Sequence, residues 1–349
     1  MTTDRAGPLH AAIVGAGLMG AWHARAARRA GAHLAAVVDS DLARARALAQ
    51  RFPGCVAISS LEQLPITTTL EVVHICTPSS THEALTRESL ARGSHVLVEK
   101  PLAPSAQLTS ELLYLAVDAR LFVCPVHQLL FQRGVRQVLA RMSELGELLH
   151  IRSLACSAGA AGKSPAAADR ISLEILPHPL SLIERFVPGT LRRLRWLAVH
   201  PQPGELQVMA NNGPLSVNLT VSMHGRPTTN EVTLVGTRAT VHLDLFHGFA
   251  LFESGGVSQG KKIRRPFDRG LAEFVSASSN LVWRAFKRQP AYPGLWELID
   301  GFYRAIEGTA APPMSASEII AVAEALDSIR ELLVPDSASS SEAYRSQVL

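Results

Sequence analysis

The chain has 349 residues, of which 47% are hydrophobic and 18% charged, with a formal net charge of +4. That length accommodates two domains of ordinary size and a substantial buried core, and the mild basicity comes without any finger, basic-zipper or RNA-recognition signature, which excludes nucleic acid as a partner. Four dispersed cysteines, Cys55, Cys76, Cys124 and Cys156, form no C-x-x-C pair, so they read as small apolar side chains in a reducing compartment and no metal or disulfide framework is expected.

Strands and helices alternate over the first 125 residues. Strands are predicted at 11–14, 34–39, 72–77, 96–99 and 121–126, with a weaker one at 56–58, and helices at 18–29, 41–51, 81–92 and 105–119. Continuous apolar strands separated by amphipathic helices imply a parallel sheet covered on both faces. The run 11–22 is apolar enough to suggest a signal-peptide core, but it lacks a basic n-region and its glycines fall in nucleotide-loop spacing. No stretch of about 18 apolar residues is present to span a membrane, and a cytoplasmic location is expected.

Beyond about residue 147 the pattern changes. Strands are predicted at 148–156, 191–199, 206–210, 215–224, 231–235 and 240–245, joined by Gly, Asn and Pro turns and interrupted by one helix at 180–186. Consecutive strands without intervening helices predict an open, mostly antiparallel sheet in an α+β domain, with one face left for a partner or substrate. Two helices close this domain, one at 295–307 and one that opens on a Ser315/Glu318 capping box and runs to about 333. The expected boundaries are 1–126 for a nucleotide-binding domain, 127–334 for a substrate and oligomerisation domain, and 335–349 for a serine-rich disordered tail.

Gly15-x-Gly17-x-x-Gly20 follows a predicted strand and opens a helix. Glycines at these positions allow a tight turn and close approach of the backbone to a pyrophosphate at the helix N-terminus, so Gly15, Gly17, Leu18, Met19 and Gly20 are assigned to the cofactor. Asp39 ends the second strand, 19 residues after Gly20, where a carboxylate binds the adenosine ribose hydroxyls. It would repel a 2′-phosphate, and the next two residues, Ser40 and Asp41, supply no arginine. NAD is therefore expected rather than NADP, in a doubly wound Rossmann domain.

Val73-His74-Ile75-Cys76-Thr77-Pro78-Ser79-Ser80-Thr81-His82, followed by Val96-Leu97-Val98-Glu99-Lys100-Pro101-Leu102, resembles the glucose–fructose oxidoreductase / inositol dehydrogenase / rhizopine-catabolism (Gfo/Idh/MocA) family. The resemblance implies hydride transfer between a nicotinamide and a sugar or cyclitol carbon, in a homodimer or tetramer joined through the C-terminal sheet. It also implies that Thr77 and Pro78 line the nicotinamide, His82 caps the following helix near the cofactor, Glu99 faces the cofactor ribose, and Lys100 binds the reacting hydroxyl. The chemistry supports the lysine independently, because an ammonium stabilises the alkoxide that develops as hydride leaves.

The family's second motif, an aspartate followed four residues later by a histidine, falls here on Glu174 and His178. By that resemblance His178 is the general acid/base and Glu174 orients a substrate hydroxyl or the imidazole. Glu replaces Asp, Ser181 stands where a further carboxylate is often found, and prolines flank the histidine. A helix beginning at Pro179, with His178 at its cap, is the expected local structure. His127 and Gln128 follow the sixth strand, where the family places substrate-contacting groups, while Arg133 and Arg136 read as surface residues.

The densest charge is Lys261-Lys262-Ile263-Arg264-Arg265-Pro266-Phe267-Asp268-Arg269, with Arg284, Lys287 and Arg288 shortly after. Its plain reading is a solvated loop and helix face. A dock for a phosphate-bearing substrate and contact with an anionic membrane are the alternatives, the latter suggested by nearby Phe246, Phe249, Phe252 and Trp283. Taken together, the sequence points to an NAD-dependent oxidoreductase acting on a hydroxyl of a sugar, nucleotide sugar or cyclitol. The competing readings are a catalytically silent NAD-binding regulatory or assembly protein, and a redox lyase or epimerase that recycles its NAD.

Overall fold

Short apolar runs with no polar alternation build the first sheet, since strands covered on both faces have no solvent side to serve. The computed structural model describes residues 7–65, 68–255 and 258–333; the tail 335–349 and the side chains of Lys261 and Lys262 lie outside the described residues. The elements of the first sheet and its helices are β1 (His10–Val14), α1 (Leu18–Arg29), β2 (His33–Val38), α2 (Leu42–Ala49), β3 (Val56–Ile58), β4 (Val72–Ile75), α3 (His82–Ala91), β5 (His95–Val98), α4 (Ala106–Asp118) and β6 (Val123–Pro125). The six strands pair in parallel in the order β3-β2-β1-β4-β5-β6. The chain order reverses between β1 and β4, so a crevice opens beyond the carboxyl ends of these strands and of neighbouring β5.

The remaining elements are α5 (Arg133–Ala140), α6 (Met142–Leu145), β7 (Leu148–Cys156), α7 (Pro165–Ile175), α8 (Pro177–Phe186), β8 (Arg195–Val199), β9 (Glu205–Asn212), β10 (Leu215–Ser222), β11 (Thr229–Gly236), β12 (Ala239–Asp244), β13 (Phe249–Ser254), α9 (Gln259–Phe286), α10 (Leu295–Ile306) and α11 (Ala316–Leu333). A seven-stranded sheet runs β13-β12-β11-β7-β10-β9-β8, with β7 and β10 parallel and every other pair antiparallel. Burial alternates along β7 and β9, which marks one covered face and one exposed face. Leu154, Leu197 and Met209 lie on the exposed side.

Several elements depart from the sequence reading. Helix α8 begins at Pro177 and not at Pro179, so His178 sits inside its first turn. Leu176, between α7 and α8, keeps right-handed helical angles (φ −53°, ψ −36°), which carries the helical path across the prolines. The 191–193 stretch is a single 3₁₀ turn ahead of β8. Helices α5 and α7 and strand β13 were not expected. The basic stretch, expected as a solvated loop and helix face, is one continuous helix, α9, which holds Pro266 within it.

The C-terminal helices return to the first sheet's layer. Helix α10 packs on α1, and α11 packs on α4 and α8. The Asp327 carboxylate accepts the Ala106 backbone N–H at 2.7 Å at the start of α4, and Arg330 donates to the Pro104 carbonyl at 2.7 Å. Phe302 on α10 is fully buried. Phe302→Ala is expected to cost about 3–5 kcal/mol of unfolding free energy, measured by urea denaturation.

Candidate active site

The glycine turn after β1 divides its labour in the way a dinucleotide requires. Gly15 has φ +96°, and a Cβ there would lie 2.7 Å from the Cys76 carbonyl oxygen. At Gly20 a Cβ would lie 1.8 Å from the Gly15 carbonyl oxygen, so only glycine lets α1 pack this close to the turn. At Gly17 a Cβ would meet nothing within 4 Å. The backbone is therefore bare at Gly17, beside the first helical residues Leu18 and Met19, where a pyrophosphate approaches a helix N-terminus.

Asp39 follows β2 and holds two turns together. One carboxylate oxygen accepts the Ala16 N–H at 2.7 Å and the other accepts the Asp41 N–H at 2.9 Å. The side chain is only partly buried, and a carboxylate with about four lone-pair sites keeps acceptors for ribose hydroxyls. The bare Gly17 backbone and this carboxylate fit NAD. Gly20→Ala is expected to weaken NADH binding and lower the melting temperature together, whereas Gly17→Ala weakens NADH binding with melting nearly unchanged. NADH fluorescence titration and a thermal melt on each variant check this.

Lys100 ends β5, and its peptide bond to Pro101 is cis. The Lys100 ammonium donates to the Glu174 carbonyl at 2.9 Å. That carbonyl lies in the last turn of α7, where carbonyls have no intrahelical donor. Burial lowers the Lys100 pKa below its ordinary value, opposed by the charges of Glu99 and Glu174. At Glu99, burial works upward, but the hydrogen bond from His23 and the nearby cations outweigh it and hold the carboxyl below its usual range.

His127 and His178 flank the lysine. Their rings meet edge to face at 6.4 Å between centroids, and the Nδ1 of each is buried with no hydrogen-bond partner among the described residues. Burial, with Lys100 next, pushes His127 down to about 4, and burial with Lys100 and His127 holds His178 well below its ordinary value. Both imidazoles are thus neutral. The Oε1 of Gln128 is likewise buried and unpaired. Buried polar atoms without partners are rare enough to need an explanation, and here two of them, on His127 and His178, lie within the field of one ammonium. The structure brings Lys100, Glu174, His127 and His178 together; Ser181 lies apart from this chemistry, its hydroxyl donating to the His178 carbonyl at 2.8 Å.

His82 differs from expectation. The cap of α3 is Thr81, which makes no side-chain cap bond, and His82 is buried in the first turn. Its Nδ1 meets the Pro101 carbonyl at 2.7 Å and its Nε2 meets the Thr77 carbonyl at 2.8 Å. The ring therefore braces the loops carrying Thr77, Pro78 and Lys100, with no nitrogen left to reach a cofactor. Thr77 is held further by the Thr81 hydroxyl at 2.7 Å.

A buried polar chain behind Glu99 was not foreseen. The Tyr303 hydroxyl lies 2.7 Å from His74 Nε2, His74 Nδ1 lies 3.0 Å from His23 Nδ1, and His23 Nε2 lies 3.3 Å from the Glu99 carboxylate. A neutral imidazole has one donor and one acceptor, and with both rings neutral a single assignment satisfies every link. Tyr303 donates to His74, His74 donates to His23, and His23 donates to Glu99. Burial, then His23, keeps His74 well below its ordinary pKa, in agreement with a neutral ring. The available sequence signal was a histidine within the apolar run Val72-Val73-His74-Ile75.

These buried neutral histidines carry a pH signature. The folded His127 pKa is about 4 against an ordinary 6.5, so between those values the unfolded chain binds more protons. Its contribution to stability is complete above pH 6.5 and is lost as pH falls toward 4. Wild type is expected to lose on the order of 3 kcal/mol from this residue across that window, and His127→Gln should flatten the loss. Urea unfolding at a series of pH values measures it.

Residues 9–126 match the model of Gfo/Idh/MocA, described as an oxidoreductase family with an NAD-binding Rossmann fold. The inositol 2-dehydrogenase of Arthrobacter sp. (strain FB24) is 43% identical over 101 residues, 28% of this chain and 30% of that protein. That of Pseudarthrobacter chlorophenolicus is 35% identical over 146 residues, 40% of this chain and 43% of that protein. The chain thus spans less than half the length of these curated relatives. Among solved structures, the WlbA dehydrogenase from Bordetella pertussis, in complex with NADH and UDP-GlcNAcA, superposes with a TM-score of 0.73 at 15% identity. The match covers 95% of this chain and 96% of that one, so the two share their overall fold.

Proposed function

We propose that this chain, which belongs to the Gfo/Idh/MocA oxidoreductase family through its NAD-binding domain, is a dehydrogenase acting on a CH–OH group of a sugar, nucleotide sugar or cyclitol. One observation carries the reading: a partly buried ammonium just beyond β5 has two neutral imidazoles beside it, each with an unpaired buried nitrogen. The cofactor, when bound, supplies the nicotinamide carbon that takes or gives hydride.

Lys100 holds the substrate oxygen and stabilises negative charge on it as hydride leaves, where low dielectric strengthens the interaction. His178 takes the hydroxyl proton, because its neutral ring retains a lone pair and the adjacent ammonium disfavours a second cation at rest. His127 and Gln128 position neighbouring hydroxyls through their unpaired atoms. Glu174 acts on Lys100 through its carbonyl and its charge. In this reading 1–126 holds the cofactor and 127–334 supplies the substrate side. The exposed apolar face of the second sheet, with Leu154, Leu197 and Met209, joins copies into a dimer or tetramer.

Lys100→Ala is expected to lower kcat/KM by at least about 10²–10³-fold while NADH binding, followed by fluorescence, stays within twofold. Near-normal turnover in that variant would overturn the assignment. Incubating the wild-type protein with NAD and a panel of cyclitols, sugars and nucleotide sugars identifies the substrate class by NADH absorbance. Product without net NADH would instead indicate a cofactor-recycling lyase or epimerase.

A further inference from the structure

Helix α9 is docked the wrong way round for a water-facing helix. Its polar side holds it to the protein. Asn280, buried, donates to the His247 carbonyl at 2.9 Å; Arg265 and Arg269 reach the Glu253 carboxylate at 2.6 and 3.3 Å; and Arg133 lies over the Trp283 ring at 5.6 Å. The opposite side carries Ile263, Phe267, Leu271, Phe274, Leu281 and Val282, each between 66% and 78% exposed. At 100° per residue these six fall within one sector of about 100°, the width of an ordinary apolar stripe. Such a stripe normally faces a core. Here it forms an outward ridge about 30 Å long, at 1.5 Å per residue over the 20 residues from Ile263 to Val282.

The aromatics that first suggested a membrane are not those on the ridge. Phe252 lies under Arg141 at 3.7 Å, and Trp283 faces inward beneath Arg133. Phe267 and Phe274, on the helix itself, point away from the protein. The charge is equally localised. Between positions 259 and 288 eight basic residues stand with two acidic ones, giving +6, whereas the whole chain carries +4. The rest of the molecule is therefore net acidic, at −2.

We propose that α9 lies in the surface of an anionic phospholipid bilayer, with its apolar ridge among the acyl-chain boundaries and exposed basic residues such as Arg264 and Arg288 at the headgroups. Charge decides the occupant. A second copy seated on the ridge would bring one +6 segment against another, whereas an anionic headgroup layer complements it. A convex ridge on a helix of this length suits a plane better than a groove. Among the described residues no helix is long and apolar enough to cross a membrane, so the contact is peripheral. The candidate active site opens beyond the carboxyl edge of the first sheet and is built from other elements, which leaves the ridge free to bind during turnover.

Co-sedimentation of the full chain with vesicles tests this, comparing phosphatidylcholine alone with phosphatidylcholine containing phosphatidylglycerol. The protein should pellet only with the anionic vesicles and be released by salt. Phe267→Glu combined with Phe274→Glu should lower the bound fraction by at least about tenfold with NADH affinity unchanged. Both residues are exposed, so the fold does not depend on them. Absence of pelleting, or equal pelleting with both vesicle types, overturns the proposal. So does a sedimentation-velocity oligomer that the same double variant dissolves, which would assign the ridge to a second copy.

Discussion

Burying the Lys100 ammonium at the carboxyl edge of a parallel sheet removes its hydration, and much of the surrounding structure offsets that loss. The nearest compensation is Glu99, adjacent in sequence and held ionised. But a buried carboxylate needs donors of its own. His23 provides one, and it can do so only in the tautomer whose other nitrogen accepts from His74. His74 in turn needs a donor at Nε2, which Tyr303 supplies from α10. A helix in the last sixth of the chain thereby fixes the charge state of a strand end in the first third. The close packing of α10 on α1 is a requirement of this chain of donors as much as of apolar burial.

The other ligand of Lys100 comes from the part of the sequence that departs most from the family pattern it resembles. Two prolines around His178 predict a broken helix. The path in fact continues through Leu176 in helical geometry, and α8 accepts Pro177 as its first residue, where a missing N–H costs nothing. Pro177 and Pro179 lack the N–H groups that would bond the Leu173 and Ile175 carbonyls at the α7–α8 junction. The Glu174 carbonyl, between those two, accepts from the lysine. The break expected from sequence thus does not occur, and the continuing helix brings both the Glu174 carbonyl and His178 to the same cluster.

Local patterns were legible where one segment decides its own structure. The strands of the first sheet are unbroken apolar runs, and Gly15, Gly17, Gly20 and Asp39 have fixed places relative to β1 and β2, so fold class and nucleotide turn could be read directly. Lys100 was legible for the same reason, because a charge at the end of a buried strand has one crevice to enter. The His23–His74–Tyr303 chain was not, since its links join residues 51 and 229 positions apart and each residue alone reads as an isolated polar insertion. His82 was read from its place before a helix, whereas its actual partners are carbonyls on two different loops. Helix α9 was obscured by its own breakers, and periodicity gives the direction of an apolar stripe but not the side on which the protein lies.

The two sites argued for here are found by one criterion applied in opposite directions. Folded chains pair their buried polar atoms and cover their contiguous apolar surface. At the crevice, His127 and His178 leave buried polar atoms unpaired beside an ammonium. Along α9, six large apolar side chains stand uncovered while polar ones face the protein. Neither departure stabilises the isolated chain, whereas the ordinary pattern holds in elements such as β9, with its alternating burial, and the fully buried strand β4. Departures that local packing does not compensate mark where the remaining partner comes from outside the chain. Its chemistry follows from what each site lacks: hydroxyl donors and acceptors at the crevice, apolar cover and negative charge along the ridge.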